Sequence, residues 1–434
     1  MAHPSAIFPV TTGRDELGQL TIAGQSITGL ARQHGTPLYL YDGETVRRQA
    51  GQLSQLLESN YPGTHEIAYA AKAYFSLGFA RKLAALGLGV DVVSLGELRV
   101  AERAGFRPGK IHLHGNNKGE EELTLAVDEA IKAVVIDNLD ELAFVEELAG
   151  ERQKRVQVWL RITPGLEVDT HPYRRTAHAH SKFGLAVQGG QAERALREAM
   201  SSRRLHLTGL HMHLGSQIFE VEPYQRGIRM LAELAEQCGF TPRELSPGGG
   251  WGVPYNLEDP TGEPAPWIEG VCATVREEFE RRNWRLPKLV IEPGRFLAAR
   301  AGVAVYTVGS VKKAADGSVV VAVDGGMADN PRPALYQARY ITLVAERPAA
   351  VMSQRARIVG PFCESGDELI AETWLPDVER GDQLVIPAAG AYQLSMASNY
   401  NLAGRPAVYW LEDGKAELLQ RREHPDEAGW WMGD

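Results

Sequence analysis

Eight short β-rich runs alternate with amphipathic stretches between roughly residues 40 and 300, and this alternation constrains the chain most. The runs are EIAYAA (66–71), GVDVV (89–93), KIHLH (110–114), AVVID (133–137), VQVWLRI (156–162), LTGLHMH (207–213), REL (243–245) and KLVIE (288–292). Segments such as ELRVAERAG and LDELAFVEELAG lie between them, with apolar residues at helical spacing. A strand–helix unit repeated about eight times predicts an α/β fold, a parallel (β/α)8 TIM-type barrel over 37–300. Such barrels place their chemistry at the C-terminal ends of the strands. Here those ends carry Lys72, Asp91, His114, Asp137, Arg161, His213, Gly248 and Glu292. Nearly all are polar or glycine, so reactive groups are expected at that rim.

At 434 residues the chain is too long for one ordinary core. After residue 300 the pattern changes to AGVAVYTVGSVKK, SVVVAVDGG, ARIVGPF, DQLVIPAAGAY and RPAVYWLEDGKAELLQ, with turn residues between them. This predicts an all-β domain over 301–434. Residues 1–36, with LGQLTIAG, are too β-like to begin a barrel and are expected to join it. A net charge of −9 argues against a nucleic-acid surface. Three cysteines, Cys238, Cys272 and Cys363, make no disulfide framework and suit a reducing compartment. The opening MAHPSAIFPVTTGRDE lacks the pattern of a signal peptide, and no uncharged apolar run reaches the ~18 residues of a membrane span. The expectation is a cytoplasmic enzyme.

Lys72, in YAAKAYFS (69–76), either caps a strand into solvent or offers its amine for a Schiff base. In SPGGGWGVPY (246–255), Gly248, Gly249 and Gly250 make either a tight turn or a phosphate cradle. IEPGR (291–295) again joins a glycine and an arginine, Gly294 and Arg295. Its Glu292 would be costly in a barrel mouth unless it met a cation or donor. A protonated pyridine nitrogen would serve, and so would an ion pair with Arg295. HMHLGSQ (211–217) puts two histidines on one strand face, and IHLH (111–114) supplies a second pair. Zinc hydrolases built on barrels use such pairs; alternatively His213 stacks on a flat cofactor while Ser216 reaches its phosphate. Cys363 in GPFCESGDELI (360–370) could be an apolar filler. DNPRPALY (329–336) and GAYQLSMASNYN (390–401) are long aromatic and polar loops, and Arg332 could fork onto a carboxylate.

Together, YAAKA, THPY…SKFG, HLGSQ, GGGWGVPY, EPGR, RPALY, CESGD and GAY…SMASNYN give a chain that resembles the fold-type III pyridoxal-phosphate decarboxylases from about Tyr39 to Pro406. Tyr74 after AKA and SPGGG in place of an acidic-aliphatic lead-in depart from the family's pattern. The resemblance implies a barrel plus a β domain that takes in the N-terminal segment. It implies pyridoxal 5'-phosphate on Lys72 and decarboxylation of meso-2,6-diaminopimelate to L-lysine. It also places Asp91, His213, Ser216, Gly248–Gly250, Glu292, Gly294, Arg295 and Tyr392 at the cofactor. Glu292 would keep the ring nitrogen protonated, where the related alanine racemase has an arginine. Cys363 would return the proton to Cα. Arg295, Arg332, Tyr336, Glu364 and Tyr392 would bind substrate, with Cys363 and Glu364 reaching in from the second subunit of a homodimer. Two other readings stay open: a paralogous decarboxylase of another diamino acid or amino-acid conjugate, and the zinc hydrolase.

Overall fold

The computed structural model describes residues 4–166, 181–424 and 426, which form two compact units. One comprises Ala50–Gly252 and Gly262–Gly294. Its eight strands are β1 (His65–Ala70), β2 (Gly89–Val92), β3 (Ile111–Leu113), β4 (Ala133–Ile136), β5 (Val156–Thr163), β6 (Leu205–His211), β7 (Glu244–Gly248) and β8 (Lys288–Ile291). Each pairs in parallel with the next, and β8 pairs with β1, closing the barrel. All eight expected strands are present. Their near-continuous burial is that of a parallel sheet covered on both faces.

Side chains fill the barrel interior. Ala68, Ala133, Val135, Trp159 and Val290 form one buried cluster. Beside it Glu244, the first residue of β7, accepts hydrogen bonds from Trp159 Nε1, Thr208 Oγ1 and Gln157 Nε2, each at 2.9 Å, and pairs with Lys132. A buried carboxylate with this many donors braces the end of the barrel opposite the chemistry. At the C-terminal end, short polar residues turn strands into helices. Ser76 Oγ accepts from Phe79 N at 3.3 Å, Ser94 Oγ from Glu97 N at 3.2 Å, and Asn138 Oδ1 from Glu141 N at 2.8 Å. Each satisfies an otherwise orphaned amide in the first turn, which keeps the loops after β1, β2 and β4 short.

The other unit comprises Met1–Gln49, Val253–Thr261 and Arg295–Asp434. Its main sheet runs in the order Glu368–Leu375, Gln354–Val359, Val319–Val323, Gly302–Lys313, Leu38–Asp42, Ala407–Glu412, Lys415–Gln420. Gln383–Ile386 also pairs with Gly302–Lys313. The N-terminal segment joins this unit, as expected: Ile7, Phe8, Leu20, Ile22 and Ile27 share one core with Leu40, Val303, Val385 and Leu411.

The unit boundaries fall elsewhere than 36/37 and 300/301. LYLYD (38–42) is a central strand of the β unit, antiparallel to Gly302–Lys313 and parallel to Ala407–Glu412. Residues 253–261 also belong to that unit, which splits GGGWGVPY between the two. Among the described residues no helix is long and apolar enough to cross a membrane.

Candidate active site

Backbone hydrogen bonds tie the C-terminal ends of four strands together: Ala70 N to Pro293 O at 3.2 Å, Glu292 N to Gly248 O at 3.0 Å, and Met212 N to Ser246 O at 3.0 Å. Lys72 stands here, exposed, in the 3-10 turn Ala71–Ala73 just after β1, between two buried alanines. Gly294 packs on that turn, where an added Cβ would lie 3.1 Å from the Cβ atoms of both Ala70 and Ala73.

The glycine run is required by close approach. A Cβ on Gly250 would lie 2.0 Å from Gly215 O, and one on Gly248 2.6 Å from Met212 O and 3.0 Å from His213 Nδ1. Gly248 and Gly250 also hold φ of +76° and +96°, which suits glycine. The Gly248 amide donates to Ser246 Oγ at 3.1 Å. Among the described residues, the amides of Gly249 and Gly250 donate to nothing.

Glu292 is buried just past β8. Its Oε1 accepts from Ser246 Oγ at 2.5 Å, and its Oε2 lies 3.1 Å from His211 Nε2. Burial acts against its charge, but His211, His114 and these hydrogen bonds outweigh that and hold the carboxyl well below the usual range. An ionised carboxylate only accepts, so His211 donates from Nε2. Among the described residues, no lysine or arginine pairs with Glu292; its charged-type contacts are histidines. Asp91 behaves oppositely. Neither of its buried oxygens has a hydrogen-bond partner, and burial, then the Glu292 charge, pushes its carboxyl well above the ordinary range.

His211 and His213 do not share a strand face: β6 ends at His211, and His213 lies two residues beyond, half-buried against the glycine run. Burial, then the charges of Lys72 and Arg161, drives the His213 imidazole well below its ordinary pKa, leaving a neutral flat ring. Ser216 follows in the same loop. The ligand-type atoms that do gather are those of His114, His211 and Glu292, within 4.8 Å of one another. His211 Nε2 and both Glu292 oxygens are already engaged in the contacts above, whereas His211 Nδ1 and His114 Nε2 have no hydrogen-bond partner. Arg161 lies over the Phe183 ring at 4.4 Å, with Nε 3.8 Å from Asp137 Oδ1. The THPY residues (170–173) lie outside the described residues.

The remaining candidates form a second cluster within the β unit. Arg332, 2% exposed, donates to the Tyr340 hydroxyl, and its guanidinium lies 4.1 Å from the Tyr255 ring centroid. It makes no ion pair among the described residues. Burial opposes its charge, but the oxygens of Tyr255 and Tyr340 favour it by more. Arg295 donates to the Tyr255 hydroxyl and lies 4.4 Å over the Tyr392 ring. Tyr392 holds φ of +60°, a conformation costly for a residue with a side chain. Behind Arg332, Gln393 Nε2 donates to Tyr340 OH at 3.0 Å and Gln393 Oε1 accepts from Tyr39 OH at 2.9 Å. Tyr336 is half-buried, its hydroxyl 4.0 Å from Met396 Sδ.

Cys363 and Glu364 are both exposed. Asp367 shapes their loop: its carboxylate accepts from Met327 N at 2.7 Å and Phe362 N at 2.8 Å. Sequence reasoning missed Ser246 and His211 as partners of Glu292, and Tyr255, Tyr340 and Asp367 altogether. The signal for Ser246 was present, since SPGGG departs from the family's pattern at that residue.

Residues 44–299 match the family described as pyridoxal-dependent decarboxylase, pyridoxal binding domain. The chain is 41% identical over 417 residues to diaminopimelate decarboxylase of Bacillus subtilis, covering 95% of each chain. It is 38% identical over 437 residues to that of Mycobacterium tuberculosis, covering 97% of this chain and 96% of that one. The crystal structure of diaminopimelate decarboxylase from M. jannaschii in co-complex with L-lysine aligns with a TM-score of 0.88 at 32% identity, covering 96% of each chain.

Proposed function

The chain belongs to the pyridoxal-dependent decarboxylases, and on that premise we propose that it binds pyridoxal 5'-phosphate through Lys72 and converts meso-2,6-diaminopimelate to L-lysine and CO2. The residues fit the cofactor. Glu292 is a buried carboxylate whose donors are a serine and a histidine, with no lysine or arginine paired to it among the described residues. That observation carries the reading, because a protonated ring nitrogen supplies the missing cation. Gly249 and Gly250 offer amides without an acceptor, beside a loop in which Ser216 adds a hydroxyl.

When bound, the cofactor withdraws the electron pair left on Cα as CO2 departs. The chain's own residues do the rest. Lys72 supplies the amine that holds the cofactor's aldehyde and yields it to the substrate's amine. His213, neutral, would stack on the ring, and Glu292 would keep the ring nitrogen protonated. Ser216, the glycine run, and the amides of Gly294 and Arg295 hold the phosphate, while Gly248 also braces the turn through Ser246. Burial and the Glu292 charge raise the proton affinity of Asp91, which disfavours a second anion beside Glu292.

Arg295 and Arg332 bind a substrate carboxylate, Glu364 binds the distal ammonium, and Tyr336 and Tyr392 close over the chain. An arginine this buried, facing tyrosines instead of an acid, suits a carboxylate brought by the substrate. Cys363 returns the proton to Cα. Its exposure, with that of Glu364, favours service in the site of a second subunit, hence a homodimer. Free thiols, one of them exposed, suit the cytoplasm.

The test is product analysis. Purified protein with added cofactor should release CO2 and L-lysine from meso-diaminopimelate and leave L-lysine and L-ornithine unchanged, because a site built for a distal charge pair is left unsatisfied by them. Turnover of ornithine, with none of diaminopimelate, would overturn the substrate assignment.

A further inference from the structure

Ser246 is a fully buried residue of β7 that the steps above use only as a brace. Its hydroxyl has one proton and two neighbours. The Gly248 amide donates to Oγ at 3.1 Å, so that neighbour cannot take the proton. The other neighbour is Glu292 Oε1 at 2.5 Å, which therefore receives it. His211 Nε2 serves the second oxygen at 3.1 Å. Each Glu292 oxygen thus has one donor. Asp91, a second buried carboxyl in this group, accepts no hydrogen bond and has only His112 Nδ1 at 3.4 Å and His114 Nε2 at 3.6 Å near its Oδ1. Burial and then the Glu292 charge push it up, while His211, His114 and the two hydrogen bonds hold Glu292 down.

We infer that Ser246 is a positioning residue for the decarboxylation: its hydrogen bond lowers the proton affinity of Glu292, so the proton shared with the cofactor's ring nitrogen stays on the nitrogen. The inference rests on the proposed cofactor. A carboxylate that loses a donor becomes more basic, and the shared proton then moves onto the carboxylate oxygen. The ring loses its positive charge and with it the capacity to withdraw electrons from Cα. The same hydroxyl fixes the Gly248 amide, so one side chain sets both the ring-nitrogen partner and the turn that begins the glycine run.

The test reads the proton directly. Wild type, Ser246→Ala, Ser246→Thr and Glu292→Gln are each loaded with pyridoxal phosphate labelled with nitrogen-15 in the ring, and the ring-nitrogen chemical shift is recorded beside kcat and KM. The expected wild-type shift is that of a protonated ring. Ser246→Ala moves it toward the unprotonated position and lowers kcat about tenfold, the size of one lost hydrogen bond to a charged group, with KM little changed. Ser246→Thr, which keeps the hydroxyl, restores the shift. Should the alanine variant not load, Ser246→Cys fills the same space with a weak donor and is expected to move the shift the same way. A wild-type shift in Ser246→Ala, or in Ser246→Cys where that stands in, while Glu292→Gln moves it, overturns the role of Ser246. An unchanged shift in Glu292→Gln overturns instead the pairing of Glu292 with the ring nitrogen.

Discussion

A Cβ placed on Gly249 would lie 1.9 Å from the carbonyl oxygen of Glu292. The glycine run and the proposed partner of the cofactor's ring nitrogen are therefore in backbone contact, with no room for a side chain between them. Gly249→Ala should displace one or both, costing about 1–3 kcal/mol of stability and lowering cofactor content. Gly51→Ala is the control: nothing lies within 4 Å of its Cβ in the helix Gly43–Asn60, so it should match or exceed wild type. Thermal melting and cofactor absorbance of both variants check this. A Gly249→Ala protein as stable and as well loaded as wild type would mean the loops can part.

Glu292→Gln should keep its fold and bind cofactor, because the amide fills the same space, yet lose about 10²–10³ in kcat, as other deletions of a charge-stabilising group do. Steady-state kinetics with meso-diaminopimelate measures it. A kcat near wild type would reduce Glu292 to a structural partner of His211 and Ser246.

The barrel was legible because its eight strands are short buried runs and the stretches between them carry apolar residues at helical spacing. Those are local signals. The boundary of the β unit was not legible at LYLYD, since a buried parallel strand and a central sandwich strand share one pattern and differ only in remote partners, here Gly302–Lys313 and Ala407–Glu412. At the site, Lys72 and Glu292 could be read as strand-end residues. The Glu292 clamp could not, because His211 and Ser246 reach it from the two preceding strands, far away in sequence. His213 was placed one element too early because HMH continues the strand's alternation for two residues after its hydrogen bonds stop.

Asp329 carries a signature in the pH dependence of stability. Burial pushes its carboxyl up to about 6, against hydrogen bonds from Tyr306 OH at 2.6 Å and Gly326 N at 2.8 Å, with the Tyr39 hydroxyl oxygen 2.9 Å away. The unfolded chain releases that proton near about pH 4, so between about pH 4 and pH 6 the folded chain holds a proton that the unfolded one has lost. Stability falls as pH rises through that window and is level in this respect above it. Asp329→Asn should remove this contribution, changing the wild-type-minus-variant difference by about 2–3 kcal/mol across the window. Denaturant unfolding at about pH 4.5 and about pH 7 measures it. Parallel behaviour of the two proteins would place the Asp329 carboxyl at its ordinary value.

Sharing of sites between subunits can be tested by complementation. Lys72→Ala and Cys363→Ala chains, each inactive, are mixed and allowed to exchange. A hybrid dimer then has one site with Lys72 from one chain and Cys363 from the other. Random exchange makes about half the dimers hybrid, so about a quarter of wild-type activity should return under two-fold symmetry. No recovery after proven exchange would place Cys363 and Lys72 in one chain's own site.

Borohydride reduction of the holoenzyme, followed by digestion and mass spectrometry, tests the central claim most directly. The reduced pyridoxyl group is predicted on the peptide containing Lys72, with loss of the visible absorbance band, and Lys72→Ala should show neither. A label on another lysine, or on none, would contradict the account.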